Sequence, residues 1–423
     1  MRHEMRLDGR VEEPLHISGP VQACVHCGFC LTTCPTYRVL GREMDSPRGR
    51  IVLVKGVFEG TVPMEDAIPR LDACLGCLAC VTACPSGVRY DQLLTGFRHA
   101  SRAARSRPLA KRLRRRALLE TLPHPRRLRA SARLGQAARP ARRLAPAIVR
   151  PMLDLLPAPD RGTGPLPTLT PAVGPRRARV ALLSGCVQQV FASEVNAATL
   201  RVLATNGVEV VVPPSQECCG ALALHLGELD TARGQARANL AAFPTDVDAV
   251  ISNAAGCGSA LREYGELFEG RDEAVEAARF ADRAVDITVF LDRLGIVPPP
   301  ALVEPRRVAY HDACHLAHAQ RVVEPPRRLL AQVGGVELLE VPDGEICCGS
   351  AGTYNIEHPA VAAALGAAKA SSIMSVRPDI LALGNVGCLV QIRAHLARLG
   401  TPIPVLHTVE VLDRAYRGVP LPR

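Results

Sequence analysis

The sequence predicts a multidomain chain of mixed α+β and α/β class, in which an N-terminal α-helical module precedes a duplicated α/β domain. Two observations predict this class. The 16 cysteines fall into three groups, and eight of them lie before residue 85. The second and third groups repeat one pattern, whose first cysteines are Cys186 and Cys314. We therefore predict a cysteine-dense module over 1–97, a connecting segment over 98–178, and two copies of one domain over 179–300 and 301–423.

The composition is that of a globular protein whose cores are built from small aliphatic residues. Hydrophobic residues make up 48% of the chain, aromatic residues only 3%, and tryptophan is absent. We find no apolar run of the roughly 18 residues that a membrane span needs, and the charged stretch 1–10 does not resemble a signal peptide. We expect a cytoplasmic protein, in which clustered cysteines bind metal or act in catalysis more often than they form disulfides.

The N-terminal module contains two cysteine runs of identical spacing, each followed by proline. The runs are Cys24-x-x-Cys27-x-x-Cys30-x-x-x-Cys34-Pro35 and Cys74-x-x-Cys77-x-x-Cys80-x-x-x-Cys84-Pro85. This is the bacterial two-cluster ferredoxin pattern, in which the fourth cysteine of each run serves the other cluster. A zinc site or a disulfide framework is the alternative, but zinc sites seldom use this spacing. We predict two [4Fe–4S] clusters, with Cys24, Cys27, Cys30 and Cys84 as ligands of cluster 1 and Cys34, Cys74, Cys77 and Cys80 as ligands of cluster 2.

The segment Ser46-Pro47-Arg48-Gly49-Arg50 predicts a helix start, with serine as the cap and proline in the first turn. Two interpretations of Arg48 and Arg50 are open. They screen anionic clusters or dock a partner, or they are the solvated end of an ordinary helix.

The connecting segment begins with a strongly basic stretch. Residues 98–150 contain 17 Lys and Arg but a single acidic residue, Glu120. Leucines recur at helical spacing between prolines, which predicts short basic amphipathic helices. Such helices lie on anionic membrane surfaces, or their arginines pair with the acidic remainder of the chain or with partner subunits. We expect no nucleic-acid partner, because the stretch lacks interleaved aromatic residues. The proline-rich stretch 151–178 predicts a linker.

Each copy of the repeat alternates short β-branched runs with helical patterns, which predicts a largely parallel sheet. The cysteines follow the predicted strands, so we expect them to meet at the carboxyl edge of the sheet. Each set is a candidate site for a metal ion or a further cluster, or else a group of buried thiols that line a docking or redox surface. The first set is Cys186, Cys218, Cys219 and Cys257, and the second is Cys314, Cys347, Cys348 and Cys388.

Three polar residues flank the first cysteine of the second set. His311, Asp312 and His315 are candidates for proton relay. The alternative is a capped helix start, with Asp312 as the cap. We find no glycine-rich dinucleotide or phosphate loop, so we predict an electron carrier with no catalytic residues of its own, which depends on a catalytic partner.

Several segments resemble the iron–sulfur subunit of bacterial glycolate oxidase. They are 24–37, 40–51, 84–90, Cys218-Cys219-Gly220, 311–315 and 347–355. The resemblance implies FAD-containing partner subunits that oxidise glycolate to glyoxylate, and an electron-transfer subunit that delivers the electrons to a quinone or another respiratory acceptor. From the sequence itself we expect a cytoplasmic subunit, and the basic stretch adds the expectation of peripheral contact to the inner face of the cell membrane.

Related functions stay open. Lactate and glycerol-3-phosphate dehydrogenases use similar subunits, and a redox sensor or scaffold with structural clusters is a third class. The repeats also resemble the cysteine-rich domains of heterodisulfide reductase. Those domains have a fifth cysteine three residues after the last one, where this chain has Ala260 and Gln391. Each repeat therefore offers four thiolates rather than five, which argues against the reductase's noncubane cluster.

Overall fold

The computed structural model describes residues 17–146, 149–157 and 164–423. The charged stretch 1–10 lies outside the described residues. The N-terminal module is helical, as predicted. Its helices are α1 (Ser18–Ala23), α2 (Phe29–Thr33), α3 (Pro35–Leu40), α4 (Pro47–Phe58), α5 (Met64–Asp72), α6 (Ala79–Thr82) and α7 (Tyr90–Ala100), with a 3-10 turn at Glu43–Asp45 before α4.

The predicted start of α4 is confirmed. The Ser46 side chain accepts a hydrogen bond from the backbone N–H of Gly49 at 3.0 Å, and Pro47 opens the first turn. Gly49 is required here because a Cβ atom would lie 2.0 Å from the carbonyl oxygen of Glu43. The cap and the glycine together hold α4 against the 3-10 turn and place Arg48 and Arg50 beside the cysteine loops.

The connecting segment forms α8 (Leu109–Thr121), α9 (Pro125–Ala138), a 3-10 turn (Arg139–Leu144) and α10 (Arg150–Leu155). The predicted helices are thus present. The stretch 151–178 differs from a simple linker, since it contains most of α10 and a two-residue strand, β1 (Leu169–Thr170). That strand is too short for any periodicity in the sequence to reveal it.

The first repeat forms a five-stranded sheet in the order β1-β3-β2-β4-β5, in which only β1 runs antiparallel to its neighbour. The parallel sheet predicted from the strand–helix alternation is confirmed. Its remaining elements are β2 (Ala178–Leu183), α11 (Gln188–Phe191), α12 (Ser193–Thr205), β3 (Val208–Val211), α13 (Ala221–His225), α14 (Leu229–Ala242), β4 (Ala249–Ser252), α15 (Ala255–Arg262), α16 (Tyr264–Leu267), α17 (Ala274–Arg283), β5 (Ala284–Asp286) and α18 (Ile287–Leu294).

The second repeat forms a parallel sheet in the order β7-β6-β8-β9. A short π-helical turn, His315–Ala319, follows its first strand. The elements are β6 (Arg306–His311), α19 (Glu324–Ala331), β7 (Val336–Glu340), α20 (Tyr354–Glu357), α21 (Pro359–Ser375), β8 (Ile380–Leu383), α22 (Val386–Arg398), β9 (Val405–His407) and α23 (Thr408–Tyr416).

The two repeats share one hydrophobic core, which includes Leu182 from the first sheet and Leu383 from the second. The backbone N–H of Ala255 donates to the carbonyl of Gly384 at 3.0 Å, and Arg201 on α12 pairs with the buried Asp413 on α23 at 2.7 Å. The repeats are therefore fixed relative to each other. None of the described helices is long and apolar enough to cross a membrane.

Candidate iron–sulfur sites

The structure brings Cys24, Cys27, Cys30 and Cys84 to the wall of one cavity. The first three come from the loop between α1 and α2 and from α2 itself, while Cys84 follows α6 in the second run. The crossed set assigned from the spacing thus surrounds one space. Ligation of a cluster by these four thiols stays a prediction.

The other four cysteines lie close to one another. Burial raises the pKa of the Cys80 thiol well above its ordinary value, and the neighbouring thiols of Cys77, Cys74 and Cys34 raise it further. Cys34 therefore lies close to the thiols of the second run, although it also lies near Cys30 of its own run. Cys80 also lines the cavity of the first set, so the two sets adjoin. Buried thiols that raise one another's pKa suit a cationic iron core, because metal binding displaces their protons.

A buried arginine lies beside the second set, and the sequence interpretation of a solvated helix end is wrong for it. Arg50 is 0% exposed. Its Nε donates to the carbonyl of Arg70 at 2.8 Å, and its Nη2 donates to Thr36 Oγ1 at 3.0 Å. Burial alone would lower the pKa of Arg50, but the charges of Cys74 and Cys34 hold it above its usual value.

The Thr36 hydroxyl connects this arginine to a predicted ligand. Thr36 Oγ1 lies 3.2 Å from Cys34 Sγ and 2.8 Å from the carbonyl of Asp45. The backbone N–H of Gly76 donates to Cys74 Sγ at 3.4 Å. One backbone N–H thus donates to a predicted ligand of the second set, while the Thr36 hydroxyl donates to the Asp45 carbonyl. Sequence reasoning missed Thr36, which carries no motif signal of its own beyond its place after Cys34-Pro35.

Arg48 has the corresponding place beside the first set, but in a more exposed setting. Its side chain is 30% exposed, pairs with Glu43 at 2.7 Å, and donates to the carbonyl of His26 at 3.1 Å. The charge of Arg48 lowers the pKa of Cys24, although burial raises that pKa overall. Arg50 is thus buried beside the second set, where Arg98 also donates to the carbonyl of Cys74 at 2.7 Å, and Arg48 is partly solvated beside the first.

The four cysteines of each repeat meet at the carboxyl edge of its sheet, as the strand pattern predicts. In the first repeat, Cys186 Sγ lies 3.5 Å from Cys218 Sγ, and Cys219 is hydrogen-bonded to Cys218 and Cys257. In the second repeat the two adjacent cysteines have different neighbours. Cys347 Sγ is 3.8 Å from Cys314 Sγ. The Cys348 thiol instead lies near the Cys388 thiol and a ring nitrogen of His311.

The place of a fifth cysteine is taken by well-packed residues in both repeats. Ala260 is buried in the hydrophobic cluster that includes Cys218 and Cys219. Gln391 accepts a hydrogen bond from Asn355 at 3.1 Å and donates to the carbonyl of Ala362 at 3.2 Å. The glycines that follow the cysteine pairs have φ of 88° at Gly220 and 87° at Gly349, and a Cβ atom at Gly349 would lie 2.7 Å from the Ala362 carbonyl. Glycine therefore permits the sharp turn after each pair.

The three polar residues around Cys314 do not form one relay. Asp312 binds Arg327 through two hydrogen bonds of 2.8 Å, so its interpretation as a helix cap is wrong. His315 Nδ1 lies 3.5 Å from Cys314 Sγ. His311 faces the other side of the site, toward Cys348 and Cys388.

The second cysteine set of the module packs directly against the second repeat. Cys77 and Leu75 share a hydrophobic cluster with Cys314 and Cys347, and the charge of Cys314 contributes to the raised pKa of Cys77 after burial. The hydroxyl of Tyr354 donates to the carbonyl of Ala73 at 3.0 Å across this contact. Thr82 Oγ1 also lies 3.0 Å from His318 Nδ1. Nothing in the sequence pattern indicates which repeat the module contacts in this way.

The basic segment is divided between paired and exposed arginines. Arg105 pairs with Asp72, and Arg115 lies 3.6 Å from Glu228. These contacts support internal ion pairing for part of the segment. On α8 the side chains of Leu109 and Leu113 are 68% and 60% exposed. Arg112 and Arg116 beside them are exposed and have no ion-pair partner among the described residues.

Comparison with known proteins identifies two families of domain in the chain. A family model described as "4Fe-4S dicluster domain" matches residues 20–88, and one described as "Cysteine-rich domain" matches 180–262 and 308–393. A probable glycolate oxidase iron-sulfur subunit of Bacillus subtilis (strain 168) is 37% identical over 418 residues, 94% of each chain. The glycolate oxidase iron-sulfur subunit of Escherichia coli (strain K12) is 36% identical over 425 residues, 98% of each chain.

More distant likenesses cover less. Lactate utilization protein A of Geobacillus thermodenitrificans (strain NG80-2) is 33% identical over 236 residues, which is 56% of this chain and 98% of that protein. The crystal structure of a hypothetical protein from Helicobacter pylori superposes with a TM-score of 0.52 at 10% identity, over 88% of this chain and 68% of that one. The last likeness shows the fold alone.

The arginines predict unequal redox potentials for the two clusters. A nearby positive charge stabilises the reduced cluster, so Arg50→Gln should lower the midpoint potential of the cluster at Cys34, Cys74, Cys77 and Cys80. At an effective dielectric constant of about 20 and a distance of roughly 7 Å, one charge shifts a midpoint potential by on the order of 100 mV. Arg48→Gln should lower the other potential by much less, because water screens it. EPR-monitored redox titration measures both.

Two controls complete this test. Arg50→Lys keeps the charge and should restore most of the potential. Equal shifts for Arg48→Gln and Arg50→Gln, or no shift for Arg50→Gln, would show that burial of the charge does not set the potential.

Proposed function

This chain belongs to the family of glycolate oxidase iron–sulfur subunits, and from that membership we propose that it is the electron-transfer subunit of a flavin-dependent enzyme that oxidises glycolate to glyoxylate. The observation that supports the proposal best is the proximity of the two crossed cysteine sets, which share Cys80 as a neighbour. Two adjacent centres suit electron transport better than a single structural staple does.

The residues present fit two clusters. We propose Cys24, Cys27, Cys30 and Cys84 as ligands of cluster 1 and Cys34, Cys74, Cys77 and Cys80 as ligands of cluster 2. Each [4Fe–4S] cluster, when bound, takes up and releases one electron at a time. The chain's own residues hold the thiolates in place, provide the compensating charges of Arg48 and Arg50, and keep water from the second set.

We propose that the hydride of glycolate goes to FAD on a partner subunit, and that this chain takes the two electrons onward singly to a quinone or another respiratory acceptor. The flavin subunits therefore hold the substrate site. Similarity to lactate utilization protein A over 236 residues favours a second candidate, the corresponding subunit of a lactate dehydrogenase.

The partner dependence is tested by reconstitution. The isolated chain should not reduce a dye with glycolate, because the hydride acceptor is on the partner. Addition of the FAD-containing subunits should produce glycolate-dependent dye reduction, measured beside lactate and glycerol 3-phosphate. Turnover by the isolated chain with bound FAD would contradict the carrier role, and turnover with lactate alone would favour the second candidate.

The crossed ligation predicts which cluster each cysteine variant loses. In the anaerobically purified full chain, the N-terminal module should account for about eight irons, and both Cys84→Ser and Cys34→Ser should remove about four. In Cys84→Ser the remaining cluster should be the one whose potential falls in an added Arg50→Gln substitution. In Cys34→Ser the remaining cluster should respond to Arg48→Gln instead. The reverse pattern would show that each run binds its own cluster, and EPR titration of the four double and single variants decides between them.

We propose further that the exposed face of α8 contacts the anionic surface of the cell membrane, where a quinone acceptor would be found. Arg112 and Arg116 lie beside the exposed leucines of this helix. Arginines near an anionic bilayer add about 1 kcal/mol each, and apolar side chains add burial in the interface.

Vesicle co-sedimentation tests this contact. Arg112→Gln with Arg116→Gln should weaken binding to vesicles of phosphatidylcholine and phosphatidylglycerol by about 30-fold, and high salt should weaken it for the parent chain. The charge-matched control is Arg102→Gln with Arg127→Gln, since these arginines pair with Glu228 at 3.3 Å and Glu120 at 2.8 Å. If both pairs of substitutions act alike, or if only flavin-subunit binding changes, α8 is not a membrane-binding face.

A further inference from the structure

We infer that His311 is a nitrogen ligand to a redox-active iron centre in the second repeat, whose sulfur ligands come from Cys314, Cys347, Cys348 and Cys388. The corresponding position of the first repeat is occupied by Leu183, which offers no nitrogen, so the two repeats differ in chemistry at this position. The ligand assignment stands on the geometry of this site. The direction of electron flow to this centre rests on the proposed function.

His311 is buried without the partners that a buried histidine normally has. It is 0% exposed at the end of β6, the Cys348 thiol lies within hydrogen-bonding reach of its ring, and neither ring nitrogen has any other hydrogen-bond partner among the described residues. An unsatisfied buried polar group costs about 1–3 kcal/mol. A bound metal ion would satisfy one of these nitrogens.

The ring is directed at thiols rather than at apolar side chains alone. A ring nitrogen of His311 and the thiols of Cys348 and Cys388 all lie within 4.8 Å of one another. Cys314 and Cys347 add a second thiol pair, with their sulfur atoms 3.8 Å apart. Imidazole and thiolate together are the donor set of zinc, iron and iron–sulfur centres.

The first repeat provides an internal comparison. Leu183 ends β2 as His311 ends β6, and the first cysteine of each set follows three residues later. Leu183 is 1% exposed and packs in the same hydrophobic cluster as Cys218 and Cys219. Leucine and histidine thus occupy the same buried place beside the cysteines. The first site has only sulfur ligands at this point.

The place of the second site favours iron over a structural metal. Cys314 and Cys347 lie in the same cluster as Cys77, a proposed ligand of cluster 2. A centre here would accept one electron from reduced cluster 2, which is thereby reoxidised. A neutral imidazole ligand in place of an anionic thiolate raises the potential of an iron–sulfur centre, so ligation by His311 would give this centre a higher potential than cluster 2, whose proposed ligands are all thiolates.

Metal analysis and pulsed EPR of the full chain test the inference. The chain is purified anaerobically and treated with ferrous iron and sulfide. The wild-type chain should hold iron beyond that of the two module clusters, and a paramagnetic state of the extra centre should show histidine ¹⁴N coupling. His311→Leu, which copies the first repeat, should remove the coupling and most of the extra iron of the second site.

Three further variants separate ligation from a packing effect. His311→Cys should keep the iron, lose the ¹⁴N coupling and lower the potential. His395→Leu removes another buried histidine, whose Nε2 already faces Gln391 at 3.4 Å and Arg398 at 3.2 Å, and should leave the coupling intact. Cys186→Ser in the first repeat should also leave it intact.

Each outcome decides a separate point. Absence of ¹⁴N coupling in the wild-type chain, or its survival in His311→Leu, would overturn the ligand assignment. Zinc in place of iron, with nitrogen in its coordination shell by X-ray absorption, would overturn the redox role. Glycolate-dependent dye reduction with the flavin subunits is measured on the same samples, so failure of the proposed function is seen independently.

Discussion

The contact between the N-terminal module and the second repeat, where Cys77 lies against Cys314, is the constraint on which the arrangement of sites depends. Electron transfer needs centres that lie close together. Direct packing of the module on the second repeat brings cysteines that are distant in the sequence into one hydrophobic cluster. The shared core of the two repeats then matters for function, because it fixes the second site relative to the first.

Close packing of thiolate-ligated centres accumulates negative charge, which the surrounding protein must offset. Arg50 offsets this charge from a fully buried position. Burial of an unpaired guanidinium costs folding free energy. It is tolerated here since backbone carbonyl, hydroxyl and thiolate groups surround it. Arg48 performs the same task nearer to water. Because Arg50 is buried and Arg48 is partly exposed, we expect the two clusters to have unequal midpoint potentials.

Much of this could be predicted from the sequence, because spacing and alternation are local signals. The cysteine runs predicted a helical module, and the strand–helix alternation predicted parallel sheets with cysteines at one edge. The burial of Arg50 could not be predicted, since it depends on the Arg70 carbonyl from α5. Asp312 was misread for a similar reason. A residue beside a strand end is a natural cap, but Arg327 on α19 lies close enough to bind it instead.

The difference between the repeats has a physical consequence for direction. Duplication would make two equivalent sites, and equivalent sites at equal potential give electrons no preferred order. A histidine at one strand end and a leucine at the other break that equivalence within the same buried volume. The repeat that carries the histidine is also the one whose cysteines pack against Cys77 of the module. The difference between histidine and leucine therefore coincides with the contact to the module in the second repeat, as the proposed direction of electron transfer requires.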